Sequence, residues 1–550
     1  MKKDVTMKKS TFINGAFIVT IGIVLTKLLG ILYVIPFHSI IGDEGGALYG
    51  YAYTIYLFFI SVSTAGIPLS ISRVVSEYQA LGFYKAKKRA FILGKRLAVL
   101  LGGISFLLII IFAPFVAKLI LGDIVSSNSV NDVTFVIRII GIAILIVPLL
   151  SIYRGYFEGH RFMSPPSISQ VLEQLFRVLT IVFGSLITLK VFNASLRSTV
   201  GVALFGATVG GLIGYFYLLD KYRRNQSRFN DRARNVNEPI ISDNNIIKKI
   251  MIYAIPFIMI DFFKSIYNYV DMFTVVKGLV NIANYSGKNA EIVYSMLSTW
   301  ATKLNMIILA ISSGIIVSLI PNVTESIVKK RKKDIQDKIV TSLCVLLYLA
   351  IPITFGISFL ATPIWNIFYG NSVVGAKVLQ YYIFVGLIVS VFTLLITILQ
   401  CFKDYKAVFC CLVVGVIFKI IFNLSCLRTF ASIGLPPYYG IITATLIGYL
   451  LSIVLSFLFL HNKYKIRFEK LTKSMIDIIC ASLLMLVGLM ILRFFIPISS
   501  SIKLLNILIV VFYSLIGMII YFLYCHLSGL TKSIFGNNML KNIKQIFIKK

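Results

Sequence analysis

Charged side chains, and acidic ones above all, are scarce in this sequence of 550 residues. Only 14% of the residues are charged, and 21 Asp and Glu stand against 54 Lys and Arg, which gives a formal net charge of +33. Apolar residues make up 58% of the chain, and its mean hydropathy is +0.90. A water-soluble fold cannot bury so much apolar surface, so the composition excludes a soluble globular protein.

Cysteine and histidine are also few, with seven and four residues, and neither type forms a cluster. No two cysteines have the CxxC spacing and all lie in apolar segments, so the sequence predicts neither a disulfide framework nor a metal site. A nucleotide-binding loop, a nucleophile elbow and a catalytic carboxylate pair are equally missing. We therefore expect a protein that is not an enzyme and that uses no cofactor.

Long apolar runs are what the sequence has in abundance. About fourteen of them are long enough to cross a hydrocarbon core of about 30 Å. They lie near residues 12–37, 47–74, 91–121, 133–154, 165–190, 198–220, 249–279, 291–321, 339–368, 376–401, 406–429, 437–460, 474–497 and 504–527. The sequence thus predicts an all-α polytopic membrane protein with about 14 transmembrane helices. The many Tyr and Phe residues fit interfacial belts and lipid-facing packing.

The basic residues are concentrated in alternate loops between these runs. Lys2, Lys3, Lys8 and Lys9 precede the first run, and further clusters stand near 85–96, 154–161, 221–249, 329–338, 463–473 and the C-terminus. By the positive-inside rule, both termini and these loops are predicted to be cytoplasmic. A nucleic-acid partner is not expected, because it requires a basic folded face.

A polar linker near the middle of the chain divides the spans into two sets. We predict an N-terminal six-helix lobe (1–220), a cytoplasmic basic linker (221–248), a C-terminal six-helix lobe (249–460), two additional helices (474–527) and a cytoplasmic tail (528–550). STAGIPLSISRVVSE in the second span and ISSGIIVSLIPNVTE in the eighth share Gly, Ser and Glu at matching positions. This similarity suggests two halves of equal topology with a substrate site between them.

Polar and charged residues inside the spans indicate where that site lies. A charge near a helix centre costs roughly 2.5–3.5 kcal/mol, so it usually faces water or a partner. In the seventh span, four such residues at i, i+3, i+7 and i+10 share one helix face. We predict a hydrated cationic cavity that holds an anionic group such as phosphate, with carboxylates that orient the lysines. Its residues are Lys27, Arg73, Asp261, Lys264, Asn268, Asp271 and Lys303.

Simpler interpretations exist for several of these charges. Asp261 and Lys264 are spaced i, i+3 and can neutralise each other. Glu173 and Arg177, at i, i+4, are predicted to form a structural ion pair within the membrane. Lys419 lies deep in a span and is assigned a structural role without an identified partner.

Three stretches of the chain resemble a known transporter family. The first is SIYRGYFEGHRFMSPPSISQVLEQLFRV at 151–178, and the others are TKLLGILYVIPFHSIIG and YAYTIYLFFISVSTAGIPLSISRVVSEY near the N-terminus. They are similar to the polysaccharide-exporter branch of the multidrug/oligosaccharidyl-lipid/polysaccharide (MOP) superfamily. Within it, they most resemble the Gram-positive form of the MurJ-type lipid II flippases and SpoVB-like relatives. Lys27 and Lys303 match cations of the first and eighth helices of that family, and Tyr33 replaces a second first-helix arginine of Gram-negative members.

The resemblance implies a bacterial cytoplasmic-membrane protein that exports an undecaprenyl-pyrophosphate-linked precursor, lipid II in the first place, by alternating access. The two additional helices are then expected to hold the isoprenoid tail, and the implied partners are lipid II, membrane lipids and cell-wall synthesis proteins. Three alternatives remain: a flippase for a teichoic-acid or capsule precursor, a cation-coupled multidrug exporter of the same superfamily, and a non-transporting scaffold for cell-wall assembly.

Overall fold

The computed structural model describes residues 22–23, 25–61, 66–229 and 238–535, and within these ranges it contains helices and no strand. The basic N-terminal tail, the beginning of the first predicted span, the centre of the linker and most of the C-terminal tail lie outside the described residues. Eleven of the described helices are long and apolar enough to cross a membrane, and a bent N-terminal pair brings the number to twelve. The predicted class, an all-α polytopic membrane protein, is confirmed.

The described residues up to 303, together with 419–441, form one compact unit. Its helices are α1 (Leu25–Leu32), α2 (Val34–Ser61), α3 (Ile67–Ala80), α4 (Tyr84–Leu121), α5 (Val130–Gly159), α6 (Ser164–Leu179), α7 (Ser185–Lys190), α8 (Leu196–Arg224), α9 (Gln226–Phe229), α10 (Asp243–Asn281) and α11 (Gly287–Ser295). Two π-helical segments, Thr180–Gly184 and Met296–Ala301, continue α6 and α11.

The second unit comprises residues 304–418 together with the described residues from 442 onward. Its helices are α12 (Thr302–Val328), α13 (Lys332–Phe359), α14 (Ala361–Tyr369), α15 (Val373–Cys401), α16 (Tyr405–Ser432), α17 (Pro437–Tyr464), α18 (Glu469–Phe495), α19 (Lys503–Leu527) and α20 (Leu530–Phe535). The helices α12, α16 and α17 contribute residues to both units. The lobe boundaries that the sequence suggests stay a prediction.

The helix boundaries agree with the sequence at one position and differ from it at another. The predicted break between the first two spans, near 38–46, contains an interruption of α2, because Gly42 has a non-helical backbone with a φ of 61°, which a glycine adopts without strain. The predicted ninth span, 339–368, is divided, because α13 ends at Phe359 and α14 follows as a separate short helix.

Both ends of the predicted linker are ordered against the first unit. The ring of Phe229 is buried and stacks on Tyr222, with centroids 5.4 Å apart. After the undescribed residues, the carboxylate of Glu238 accepts hydrogen bonds from the backbone N–H groups of Tyr84 (2.8 Å) and Lys85 (2.9 Å). These are among the first N–H groups of α4, which have no partner inside their own helix. The residues on both sides of the undescribed stretch thus contact the first unit, and the linker boundaries stay a prediction.

Candidate functional site

Lys303 is a buried cation at the junction between a π-helical segment and α12. Lys303 is the second residue of α12, which continues the π-helical segment Met296–Ala301, and it is only 9% exposed. The segment packs closely on α2, where Thr299 Oγ1 donates a hydrogen bond to the carbonyl of Gly46 at 2.9 Å. A Cβ atom at Gly46 would lie 2.5 Å from the ring of Trp300, so only glycine permits this approach. The local fold thereby fixes the backbone that carries Lys303.

The ammonium group of Lys303 lies over tyrosine rings. Its Nζ is 4.6 Å from the ring centre of Tyr53 and 5.6 Å from that of Tyr33, which stands at the bend between α1 and α2. Each contact is a cation–π interaction. Among the described residues, Lys303 forms no ion pair with a carboxylate, and its charge is stabilised by the neighbouring tyrosines.

Tyrosines on one face of α2 connect Lys303 to a second cation. Tyr49 stacks on Tyr53 at 5.1 Å, and Tyr53 contacts Tyr56 at 5.9 Å. Tyr56 is fully buried, and its hydroxyl accepts a hydrogen bond of 3.1 Å from Nη2 of Arg177. We call Tyr33, Tyr49, Tyr53 and Tyr56 the tyrosine row. The prediction that tyrosines form interfacial belts is wrong for Tyr33, Tyr49 and Tyr56, because these three residues are buried within the first unit.

A shared carboxylate holds Arg177 in place. Glu173 Oε1 accepts from Arg177 Nη2 at 2.5 Å, which confirms the predicted ion pair, and Glu173 Oε2 accepts from Arg154 Nη2 at 2.7 Å. All three side chains are less than 10% exposed. The assignment of Arg154 to a cytoplasmic loop is wrong, because α5 continues to Gly159 and buries this residue. Arg154 and Arg177 carry two positive charges and Glu173 carries one negative charge, so this group of three side chains keeps a net positive charge.

The polar stripe of α10 divides between two environments. Asp261 and Lys264 are both partly buried, and no ion pair within 4 Å joins them. Asn268 is exposed. Asp271 instead binds the fully buried Lys419, with Asp271 Oδ1 at 2.6 Å from Lys419 Nζ. Lys419 thus has the partner that the sequence could not identify.

Asn423 completes the surroundings of this pair. Its Nδ2 donates to Thr274 Oγ1 at 2.7 Å and to Asp271 Oδ1 at 3.3 Å, while Lys419 Nζ also donates to the carbonyl of Ile441 at 3.3 Å. These contacts neutralise one buried lysine and hold α10, α16 and α17 together within the first unit. A structural role for Lys419 stays a prediction, which these contacts favour.

Arg73 takes part in a contact between α3 and α10. Its guanidinium lies 4.1 Å above the ring of Tyr253. One turn further along α3, Glu77 accepts from Lys249 Nζ at 2.7 Å and from the Tyr253 hydroxyl at 3.2 Å. The hydrogen bond from Lys249 lowers the pKa of the Glu77 carboxyl below its usual value. We call these four residues the α3–α10 latch.

All seven predicted site residues belong to the first unit. Lys27 lies partly buried on α1, Lys303 on the tyrosine row, and Arg73 in the latch. Their convergence on one ligand stays a prediction. What the described residues do establish is that Arg177 and Lys303 contact rings of the tyrosine row and that Glu173 pairs with both Arg177 and Arg154, so the cations outnumber the carboxylates bound to them. Such an excess of buried cations favours an anionic ligand.

The second unit contains an apolar groove of about 370 Å³ between α13, α14, α18 and α19. Tyr513 and Tyr521 line it with their rings, because their hydroxyls donate to the carbonyls of Ile496 (2.6 Å) and Tyr348 (2.8 Å). Gly356 also lines the groove, and a Cβ atom there would meet nothing within 4 Å. The groove therefore presents a nearly polar-free surface of a size suited to a hydrocarbon chain.

Comparison with known proteins places these features in context. The family model for polysaccharide biosynthesis proteins matches residues 12–323, and the MatE model matches residues 298–424. The chain is 29% identical over 541 residues to the lipid II flippase MurJ of Bacillus subtilis. The alignment covers 96% of this chain and 98% of the relative.

Two solved structures share the fold. A structure of lipid II flippase MurJ in an inward closed conformation matches with a TM-score of 0.62 at 15% identity, over 93% of this chain and 99% of that chain. An inward-facing multidrug resistance MATE transporter of the MOP superfamily matches with a TM-score of 0.63 at 12% identity, over 82% of this chain and 99% of that chain. At these identities, the likeness establishes the fold alone.

Proposed function

Because this chain belongs to the polysaccharide biosynthesis protein family, we propose that it is a flippase that exports an undecaprenyl-pyrophosphate-linked cell-wall precursor, lipid II in the first place. It carries the precursor across the cytoplasmic membrane by alternating access and performs no chemical reaction on it. Both termini lie in the cytoplasm, and no metal or cofactor takes part. The similarity to the lipid II flippase MurJ of B. subtilis over almost the whole of both chains supports this substrate.

The observation that carries the proposal is the buried positive charge on the tyrosine row. Lys303 has no carboxylate partner among the described residues, and Glu173 neutralises only one of two arginines. A pyrophosphate that enters from the cytoplasm supplies the missing negative charge. Lys27 and Lys264 add to this site, and lysine suits a phosphate that moves, because it acts as a mobile point charge.

The hydrocarbon part of the substrate needs a separate surface. The apolar groove of the second unit has the composition to hold an isoprenoid chain while the headgroup crosses in the protein. Separate sites allow the tail to remain in an apolar environment throughout, so that only the headgroup has to be desolvated.

The α3–α10 latch closes the inner side of the first unit. Its ion pair is partly exposed, with 27% of the Lys249 and 37% of the Glu77 side chain accessible, so it contributes little energy and can open. Opening lets the headgroup enter, and closing precedes its release on the other side. Export of an anion is favoured by about 2.3 kcal/mol per net charge for each 100 mV of inside-negative potential.

The alternatives make different demands on the same residues. A cation-coupled multidrug exporter requires acidic side chains at its site, whereas the described tyrosine row has more cations than carboxylates. A scaffold requires neither the buried charges nor the groove. A flippase for teichoic-acid or capsule precursors uses the same features, and only the accumulated lipid distinguishes it.

Depletion of the protein in its native bacterium tests the substrate directly. We expect lipid II to accumulate at the inner face of the membrane, measured by extraction and mass spectrometry together with protection from an external probe. Accumulation of a different lipid-linked sugar would replace lipid II as the substrate. Unchanged levels of every such lipid would contradict a flippase.

A further inference from the structure

A polar cavity of about 490 Å³ lies in the second unit, at the ends of α13 and α18. Both helices begin next to basic clusters, near 329–338 and 463–473, and run away from them. The cavity therefore lies on the membrane side opposite to these clusters, which is the outer side in the proposed orientation. The start of α15 and the short helix α14 complete its walls.

The cavity is lined by two cations and by no acidic residue. Lys377 on α15 and Arg493 on α18 both face it. Neither forms an ion pair or a hydrogen bond with any described residue, and both are exposed. The sequence has no Asp or Glu between Asp337 and Asp404 and none after Asp477. The field in the cavity is therefore positive, with no carboxylate nearby to neutralise it.

Neutral hydrogen-bonding groups line the same cavity as the two cations. Thr362, Asn366, Asn371 and Gln380 line the cavity. Asn366 and Asn371 come from either side of a tight connection in which Gly370, with a φ of 79°, ends α14. Amide and hydroxyl groups beside cations form a set that suits phosphate oxygens and sugar hydroxyls.

The wall of the cavity is held rigidly. Ser358 Oγ donates to the carbonyl of Gln380 at 2.8 Å and joins α13 to α15. The indole ring of Trp365 is 1% exposed and packs directly on the backbone of Gly375, where any side chain would collide with it. These contacts fix α14 on α15 before any ligand arrives.

The polar cavity and the apolar groove share one wall. At the corner between α13 and α14, Leu360 and Ile364 line the groove, while Thr362 and Asn366 line the cavity. A single amphiphile can thus place its headgroup in one and its hydrocarbon chain in the other.

We propose that the cavity is a release-side binding site for the phosphate of a polyprenyl-linked lipid whose chain lies in the apolar groove. This inference rests on the proposed function, and it assigns to Lys377 and Arg493 a role after the headgroup has crossed. The two cations receive the phosphate at the outer surface and retain it until the lipid leaves. Because they are exposed, the contact is weak enough to be reversible.

Binding of undecaprenyl phosphate to the purified full-length protein, measured by native mass spectrometry, tests the proposal. We expect the double variant K377A/R493A to bind about tenfold more weakly, as the loss of roughly 1.4 kcal/mol predicts. The control K190A/R428A removes two exposed charges from the first unit and is expected to change binding by less than about twofold. None of these four side chains forms an ion pair with a described residue, so both variants should fold. Equal binding by K377A/R493A and the wild type would overturn the proposal.

Further ligands identify what the cavity recognises. Undecaprenol, which has no phosphate, should bind weakly and equally to both proteins. Phosphatidylglycerol bound as tightly as undecaprenyl phosphate, with the same dependence on Lys377 and Arg493, would make this a general anionic-lipid site and overturn the polyprenyl assignment. Inorganic phosphate bound with equal affinity would show that the groove takes no part, which also overturns it.

The same substitutions made in the K303M variant distinguish this site from the proposed central site at Lys303. In K303M, the K377A/R493A substitutions should weaken binding by the same factor as in the wild type, because the sites lie in different units and act independently. If K303M transports lipid II normally but the cavity variants still lose binding, the proposed central site fails and the release-side site stands. If transport depends on Lys303 while the cavity variants bind normally, only the release-side site fails.

Discussion

Replacement of Lys303 by methionine distinguishes a substrate-binding lysine from a structural one. Methionine retains most of the length and apolar surface of the side chain but removes the ammonium group. The substitution loses cation–π contacts with Tyr53 and Tyr33, worth about 0.5–2 kcal/mol each. It also removes the cost of burying an unpaired charge, which is several kcal/mol. The two effects oppose each other, so we expect little change in stability.

Transport should respond very differently. If the ammonium group binds pyrophosphate, its loss removes a charge-assisted contact worth about 1.5–3 kcal/mol. This corresponds to roughly 10- to 150-fold weaker binding. We therefore expect K303M to retain its thermal midpoint in detergent while the initial rate of lipid II translocation in liposomes, at low substrate, falls by at least about tenfold.

Lys419 supplies the matched control, since it is also a buried lysine of the first unit. K419M leaves Asp271 without its partner at 2.6 Å. Breaking such a pair costs about 3–5 kcal/mol, and the lower value applies here because a quarter of the Asp271 side chain is accessible. K419M should thus lower the thermal midpoint, and the double variant K419M/D271N should recover it. A stable K419M, or a K303M that transports normally, would refute this division of roles.

Three other substitutions test separate parts of the structure. Glu173→Gln removes the carboxylate that pairs with two buried arginines and should destabilise the protein by about 3–5 kcal/mol. The loss should be seen as a lower thermal midpoint. An unchanged midpoint would argue against the shared carboxylate. Lys249 lowers the pKa of Glu77 in the folded protein below its usual value of 4.5. The ion pair of the α3–α10 latch should therefore contribute its full stability above pH 4.5 and lose it as the pH falls through the lowered pKa. Hydrogen exchange of α3 should increase there, and Glu77→Gln should remove this pH dependence; a wild-type α3 insensitive to acid would contradict the latch. Gly356→Leu places a side chain at the wall of the groove, where a Cβ atom meets nothing within 4 Å, and should slow transport while stability is kept. Gly103→Leu, at a position where a Cβ atom also meets nothing within 4 Å, should leave both unchanged. Equal transport by the two variants would exclude the groove.

Much of the fold followed from the sequence because the membrane imposes strict rules. Within the described part of the chain, each predicted span has a helical counterpart, since an unpaired backbone is too costly in hydrocarbon for any alternative. The boundaries were less accurate where no charged residue marks the end of a helix. The predicted ninth span, 339–368, contains no charge, yet α13 ends within it at Phe359 and α14 follows.

The candidate site was predictable only where the contacts are local. Glu173 and Arg177 were found from their i, i+4 spacing, but Arg154 lies 19 residues from Glu173 and resembles a loop residue. Lys419 and Asp271 are distant in sequence, and no periodicity connects them. The tyrosine row did leave a signal, because Tyr49, Tyr53 and Tyr56 are spaced i, i+4, i+7 and must share one face of α2.

Translocation of lipid II by the purified protein in liposomes tests the central claim most directly. The measurement compares the wild type with K303M, with lipid II labelled in its sugar headgroup and a membrane-impermeant reagent that detects the label only after it has crossed. We predict that the wild type moves the headgroup across the membrane, faster when the side of entry is negative, and that K303M moves it at least about tenfold more slowly. Headgroup movement no faster than in protein-free liposomes, or an equal rate for both proteins, would contradict a lipid-linked sugar flippase built on this cationic site.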